Sequence, residues 1–144
     1  MSSLIDAVRE YLMKVSAGVR ESVPGCFDFG CVWDNCEVVV RVRVSDEYRA
    51  VCVTVSSGIM VPMEYISDAY EFACRANYEL PLGAFWVDPD SRRVSFSVTA
   101  VLVDMDPSEG FLGTMVTTGI NAFFRACRLT TTDSRRPLAR AVLM

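Results

Sequence analysis

The spacing of hydrophobic positions changes period several times along the chain, and each change predicts an element. Leu4, Ile5, Val8, Tyr11, Leu12, Val15 and Val19 recur at helical spacing, with Asp6, Arg9, Glu10 and Lys14 between them. Ser2 and Ser3 stand ahead of this helix as caps, and it is expected to stop near Gly18 to Ser22, before Pro24 and Gly25. From Cys26 the period falls to two. Phe27, Phe29, Cys31 and Trp33 share a face against Asp28 and Gly30. Val38, Val40, Val42 and Val44 then oppose Val39, Arg41 and Arg43, and Val51, Val53 and Val55 oppose Ala50, Cys52 and Thr54. Asp34-Asn35 and Ser45-Asp46-Glu47 are turns. Connections this short force an antiparallel meander, because parallel neighbours need a long crossover.

Helical spacing returns from about Met63 to Asn77, where Ile66, Ala69, Tyr70, Ala73 and Cys74 form the apolar stripe. Pro62 suits its first turn, and Pro81 and Gly83 block its continuation. Ala84 to Asp88 reads as a strand, Pro89-Asp90 as a turn, and Arg93 to Val103 as a long strand. In the latter Val94, Phe96, Val98, Ala100 and Leu102 alternate with Ser95, Ser97 and Thr99. Asp106 as a cap and Pro107 at the first position open a third helix to about Arg128. The order helix, three strands, helix, two strands, helix predicts an α+β fold. One domain, residues 1–129, would set a mainly antiparallel sheet with helices on its apolar face, and residues 130–144 would be a flexible C-terminal tail.

Composition narrows the class further. With 51% hydrophobic and 22% charged residues among 144, the chain is no disordered segment. It lacks the roughly 20-residue apolar run of a membrane helix, and its N-terminus lacks the continuous apolar region of a signal peptide. The expected setting is cytoplasmic, with no membrane. A net charge of -4 without an obvious basic cluster argues against nucleic acid as a partner.

Six cysteines stand at 26, 31, 36, 52, 74 and 127. In a reducing compartment they read as free, small hydrophobic residues. The five-residue step between Cys26, Cys31 and Cys36 exceeds the spacing of structural zinc ligands, the chain has no histidine, and an odd step sends successive strand residues to opposite faces. No metal or cofactor is expected. The catalytic inventory is equally thin. Without histidine the commonest general base is missing. Asp88 and Asp90 belong to a turn, Glu64 and Asp68 to a solvated helix face, and Cys127 lies between Arg125 and Arg128 with no partner base. No catalytic residue is identified, and the chain is expected not to be an enzyme.

One stretch carries a family resemblance. Met60 to Phe96 contains Val-Pro before a helix, Arg75 and Asn77 near its end, the corner Leu80-Pro81-Leu82-Gly83, an aromatic strand and an Asp-Pro-Asp turn. This run resembles the YbjN-like family of bacterial proteins. The resemblance implies the fold of type III secretion chaperones, an α+β domain often found as a dimer, with no catalytic residues to carry over. At the corner, Asn77 can bond nearby backbone and tolerate a left-handed conformation, and Gly83 allows positive φ or close approach. With Pro81 these are structural assignments.

Binding is therefore the expected class: a protein-interaction module, with the homodimer that the resemblance implies as its expected assembly, holding a partner segment on a sheet edge or in a groove. Phe27, Phe29, Trp33 and Trp86 are the candidate partner-binding residues. Phe85 and Trp86 point to opposite faces of their strand, and Trp86 serves either the core, the expected role, or the groove. A small-ligand sensory domain with its site between sheet and helices is the alternative, and a redox role for the strand cysteines is a third reading.

Overall fold

The structure, a computed structural model, describes residues 3–33, 36–58 and 60–131, without the side chains of Trp33, Cys36 and residues 127–131. The turn at 34–35, the capping role of Ser2, the setting of Cys127 and the segment beyond residue 131 lie outside the described residues. The elements follow in the order α1 (Leu4–Val15), β1 (Arg20–Val23), β2 (Cys26–Trp33), β3 (Cys36–Ser45), β4 (Ala50–Ser57), a 3-10 turn (Met63–Tyr65), α2 (Ile66–Glu79), β5 (Ala84–Val87), β6 (Val94–Val101) and α3 (Glu109–Thr131). The strands form a single sheet in the order β1-β2-β3-β4-β6-β5, and every neighbouring pair is antiparallel. This is the α+β architecture the pattern predicts.

Register explains why the alternation is so clean. Phe29, Val40, Val55, Phe96 and Phe85 are successive partners across five strands, so one row of side chains crosses the core face. Phe27, Val42, Val53 and Val98 form the next row. All three helices cover this face. Leu4, Val8 and Leu12 of α1, Ala69, Phe72 and Ala73 of α2, and Leu112, Met115, Ile120 and Phe123 of α3 join the strand residues in one buried cluster. The large apolar ones each contribute roughly 1.5–3 kcal/mol by leaving water. Aromatic rings fix the far end, where Phe85 lies 5.2 Å edge-on to Phe72, 5.0 Å from Phe96 and 6.0 Å from Phe123.

The structure corrects several sequence expectations. Helix α1 ends at Val15, earlier than the stripe predicts, and Val19 is buried from the connection that follows. Residues 20–23 form an unforeseen edge strand. Arg-Glu-Ser-Val has one apolar residue and no alternation, so no periodic signal marks it. Pairing makes it: Gly25, at φ 82°, turns the chain back onto β2, and a Cβ there would stand 2.9 Å from the Val44 carbonyl. Helix α2 buries Phe72 instead of Tyr70 and Cys74, which are exposed, because its bundle contact is with the Phe85 ring. Helix α3 is capped by Ser108, whose hydroxyl accepts from the Phe111 amide at 3.0 Å, while Asp106 pairs with Arg49 at 3.3 Å. It also continues to Thr131, two residues into the segment assigned to the tail.

Helix α1 starts with help from far along the chain. Ser3 caps it by accepting from the Asp6 amide. Asp46, in the β3–β4 turn, accepts from the Leu4 amide at 2.8 Å, the Ile5 amide at 3.3 Å and the Ser3 hydroxyl at 2.9 Å. Desolvation opposes the Asp46 charge, but these hydrogen bonds and nearby Arg49 outweigh it and hold the carboxyl below its ordinary range. Two orphan helix donors are satisfied by a residue more than forty positions away.

Candidate functional site

The face of the sheet turned away from the helices is uncovered by any described element, and its side chains alternate with the core set. Register places Trp86, Ser95, Ser56, Val39 and Gly30 in one row across it. Ala84, Ser97, Thr54, Arg41 and Asp28 form a second, and Thr99, Cys52, Arg43 and Cys26 a third. In these three rows β4 and β6 present only small residues, flanked by Trp86 on β5 and by Val39, Arg41 and Arg43 on β3. The result is a shallow trough running along the strands.

The floor of the trough is internally bonded. Thr54 and Ser97 hydroxyls meet at 2.9 Å, Ser56 and Ser95 at 2.8 Å, and the Trp86 indole N–H donates to Ser97 at 2.9 Å. That last bond lays the indole over the floor, and Ser95, its direct cross-strand partner, is only 2% exposed. Trp86 itself is 42% exposed, so a large aromatic surface stands in solvent with its polar end already fixed. On the opposite wall Arg41 donates to Asp28 at 2.7 Å, which together with the Asp28 charge raises its pKa.

The corner that precedes β5 positions Trp86. Leu80 caps α2 in an extended conformation, as the residue before a proline prefers, and Pro81 ends the helix. Gly83 has φ 72°, and a Cβ there would stand 2.7 Å from the Ser97 carbonyl and against the Phe96 ring. Both reasons anticipated for this glycine hold together. Asn77 bonds backbone, as its side chain allows, but without the left-handed conformation. It stays within α2; its side-chain amide donates to the Phe85 carbonyl at 2.9 Å and accepts from the Phe85 amide at 2.6 Å. Beyond it, Asp88 accepts from the Asp90 amide at 2.9 Å, a turn contact that with the neighbouring Ser91 bonds keeps the Asp88 carboxyl low.

The four aromatic candidates do not converge. Phe27 is fully buried and Phe29 is partly buried against the core cluster, so both serve the helix-covered face. Trp86 lies on the opposite face at the other side of the sheet, exposed where the core role was expected of it, and Phe85 takes the core role instead. The Trp33 side chain lies outside the described residues. The hydroxyl floor escaped the sequence reading, whereas the open-face position of Arg41 and Arg43 follows from the alternation of β3. Their alternation was visible, but the register that sets them beside Trp86 was not.

The cysteines sort by parity. Cys31 packs toward the core, whereas Cys26 and Cys52 lie on either side of Arg43 in the open face, and Cys26, Cys31, Cys52 and Cys74 are free thiols. Among the described residues no three Cys, Asp or Glu side chains cluster as metal ligands, and no helix is long and apolar enough to cross a membrane.

No family model matches the chain, and no curated protein matches it in sequence. Among solved structures it is similar to that of YbjN from E. coli, a protein described as a candidate transcription regulator. The superposition has a TM-score of 0.63, 8% identity, and covers 85% of this chain and 87% of the other. The shared fold extends over nearly the whole of both molecules, in line with the resemblance seen in Met60 to Phe96.

Proposed function

We propose that this chain is a non-catalytic regulatory or chaperone-like module that holds a protein segment in the trough on its open sheet face, with Trp86 as anchor. One observation carries the reading: Trp86 is 42% exposed above a floor of small hydroxyl residues, while adjacent Phe85 is locked in the core at 2%. A half-exposed tryptophan whose indole N–H is already bonded offers apolar area at little ordering cost, the property of an interface anchor. The floor hydroxyls have internal partners and can be covered without being orphaned. At the β5 edge, beside Trp86, the face is favoured over strand addition, because Asn77 occupies the outward backbone groups of Phe85. The description of YbjN as a candidate transcription regulator supports the regulatory half of the proposal.

The alternative, a small ligand between sheet and helices, has no observation in its favour, since Phe72, Phe85, Phe96 and Phe123 pack that space. Selection of a random peptide library on the wild-type protein, counter-screened on Trp86→Ala, tests the proposal. Enriched peptides that lose binding to the variant support it. Peptides indifferent to Trp86 refute it. The homodimer expected from the resemblance is a separate proposal, checked by light scattering during size-exclusion chromatography against the 16.0 kDa chain mass.

A further inference from the structure

The two walls of the trough differ in chemistry, and the difference names a partner. Strands β4, β5 and β6, which supply the floor and the Trp86 wall, carry no charged residue over Ala50–Ser57, Ala84–Val87 and Val94–Val101. Within the strands, charge enters only from the other side. There Arg41 and Arg43 project from β3, and Arg20 lies beside Asp28 at the end of the Arg41 row. Asp28 is engaged by Arg41, whereas exposed Arg20 and Arg43 have no carboxylate partner among the described residues. Glu37 lies on the same face but at the far end of β3 from Arg43. A chain of net charge -4 thus keeps a cationic bank along one side of its open face.

We infer that the trough takes an acidic protein segment, its carboxylates on the bank centred on unpaired Arg43 and an apolar side chain against Trp86. The inference rests on the trough being the docking site and adds the chemistry of the occupant. Charge complementarity argues for it: two unpaired guanidinium groups at a rim attract an anionic partner and repel a basic one. Register gives the spacing. Three strand separations of roughly 4.8 Å and one to two residue pairs along the strands put the bank about 16–20 Å from Trp86. An extended segment crosses that distance in about five or six residues at roughly 3.3 Å each. The overall negative charge favours such a segment over a polynucleotide, whose repeating phosphates would meet the acidic remainder of the surface.

The test uses a labelled twelve-residue synthetic peptide with two adjacent glutamates and a phenylalanine six residues away, beside a copy with glutamines in their place. Fluorescence anisotropy follows both against wild type, Arg43→Glu, Arg20→Glu and Trp86→Ala. The expected result is a preference of about fivefold to tenfold for the glutamate peptide, abolished by Arg43→Glu and reduced by added salt, as for a solvent-exposed ion pair. Trp86→Ala weakens both peptides alike. Arg20→Glu, two strands away on β1, reports the same bank if Arg43→Glu does not fold. Equal affinity for the two peptides, both dependent on Trp86, overturns the acidic assignment and leaves the trough intact as a binding site. Indifference to Trp86, or binding of neither peptide, overturns both. Tighter binding of labelled single-stranded dT12 than of the glutamate peptide, lost in Arg43→Glu, overturns it in favour of nucleic acid.

Discussion

The side-chain amide of Asn77 pairs with both backbone groups of Phe85, at 2.9 and 2.6 Å, as a neighbouring strand would. A helix side chain thereby closes the outer edge of β5 and fixes the strand whose next residue is Trp86. Replacing Asn77 with Ala removes both bonds and is expected to cost about 1–3 kcal/mol, with Asn77→Asp, which keeps the acceptor only, close behind. Chemical denaturation measures the loss, and faster hydrogen exchange at the Phe85 amide localises it. An unchanged Phe85 amide would show that α2 covers the edge without Asn77.

Gly83 is constrained twice over, by φ 72° and by the Ser97 carbonyl 2.7 Å from any added Cβ. Gly83→Ala should therefore destabilise the domain by about 3 kcal/mol or more, the left-handed strain and the steric overlap acting together. The thermal midpoint should fall well below that of Gly18→Ala, since a Cβ at Gly18 meets nothing.

The unforeseen edge strand is tied to α1 by a two-pronged contact. Arg9 donates to both oxygens of Glu21, at 2.7 and 2.8 Å, and the Gly25 amide adds a third bond at 3.1 Å. Chiefly through the Arg9 hydrogen bond, and next through Gly25, the Glu21 pKa falls from 4.5 to about 2. A carboxyl whose folded pKa is depressed stabilises the fold fully above its unfolded value. The contribution should be complete above about pH 4.5 and lost as pH falls toward about 2. The melting temperature of wild type should drop through that window more steeply than that of Glu21→Gln. Parallel pH profiles would show that Glu21 is not the titrating group.

The two faces of the sheet separate two aromatic substitutions. Phe27→Ala empties a fully buried site and is expected to cost about 3–5 kcal/mol. Trp86→Ala removes a half-exposed ring and one hydrogen bond and should cost only about 1 kcal/mol. Denaturation midpoints compare them directly. A larger loss for Trp86 than for Phe27 would contradict the assignment of Trp86 to the open face.

Local pattern dictates the elements with strong period, because alternation and helical stripes are consequences of one-sided burial. The valines of β3 and β4, the Phe96 face of β6, the three helices and the Pro81-Gly83 corner were legible for that reason. Five things depended on tertiary contact. Strand β1 has no pattern of its own and exists because Gly25 folds it onto β2 and Arg9 holds Glu21. The caps of α1 come partly from Asp46, and the choice of Phe72 over Tyr70 for burial follows from where Phe85 stands. Adjacency of Phe85 and Trp86 guaranteed that one would face each way, but only the position of β5, with helices covering one side of the sheet, decided which. The trough itself joins β5, β6, β4 and β3, strands out of sequence order. Strand order and register are long-range properties, set by which surfaces bury each other, and no local period encodes them.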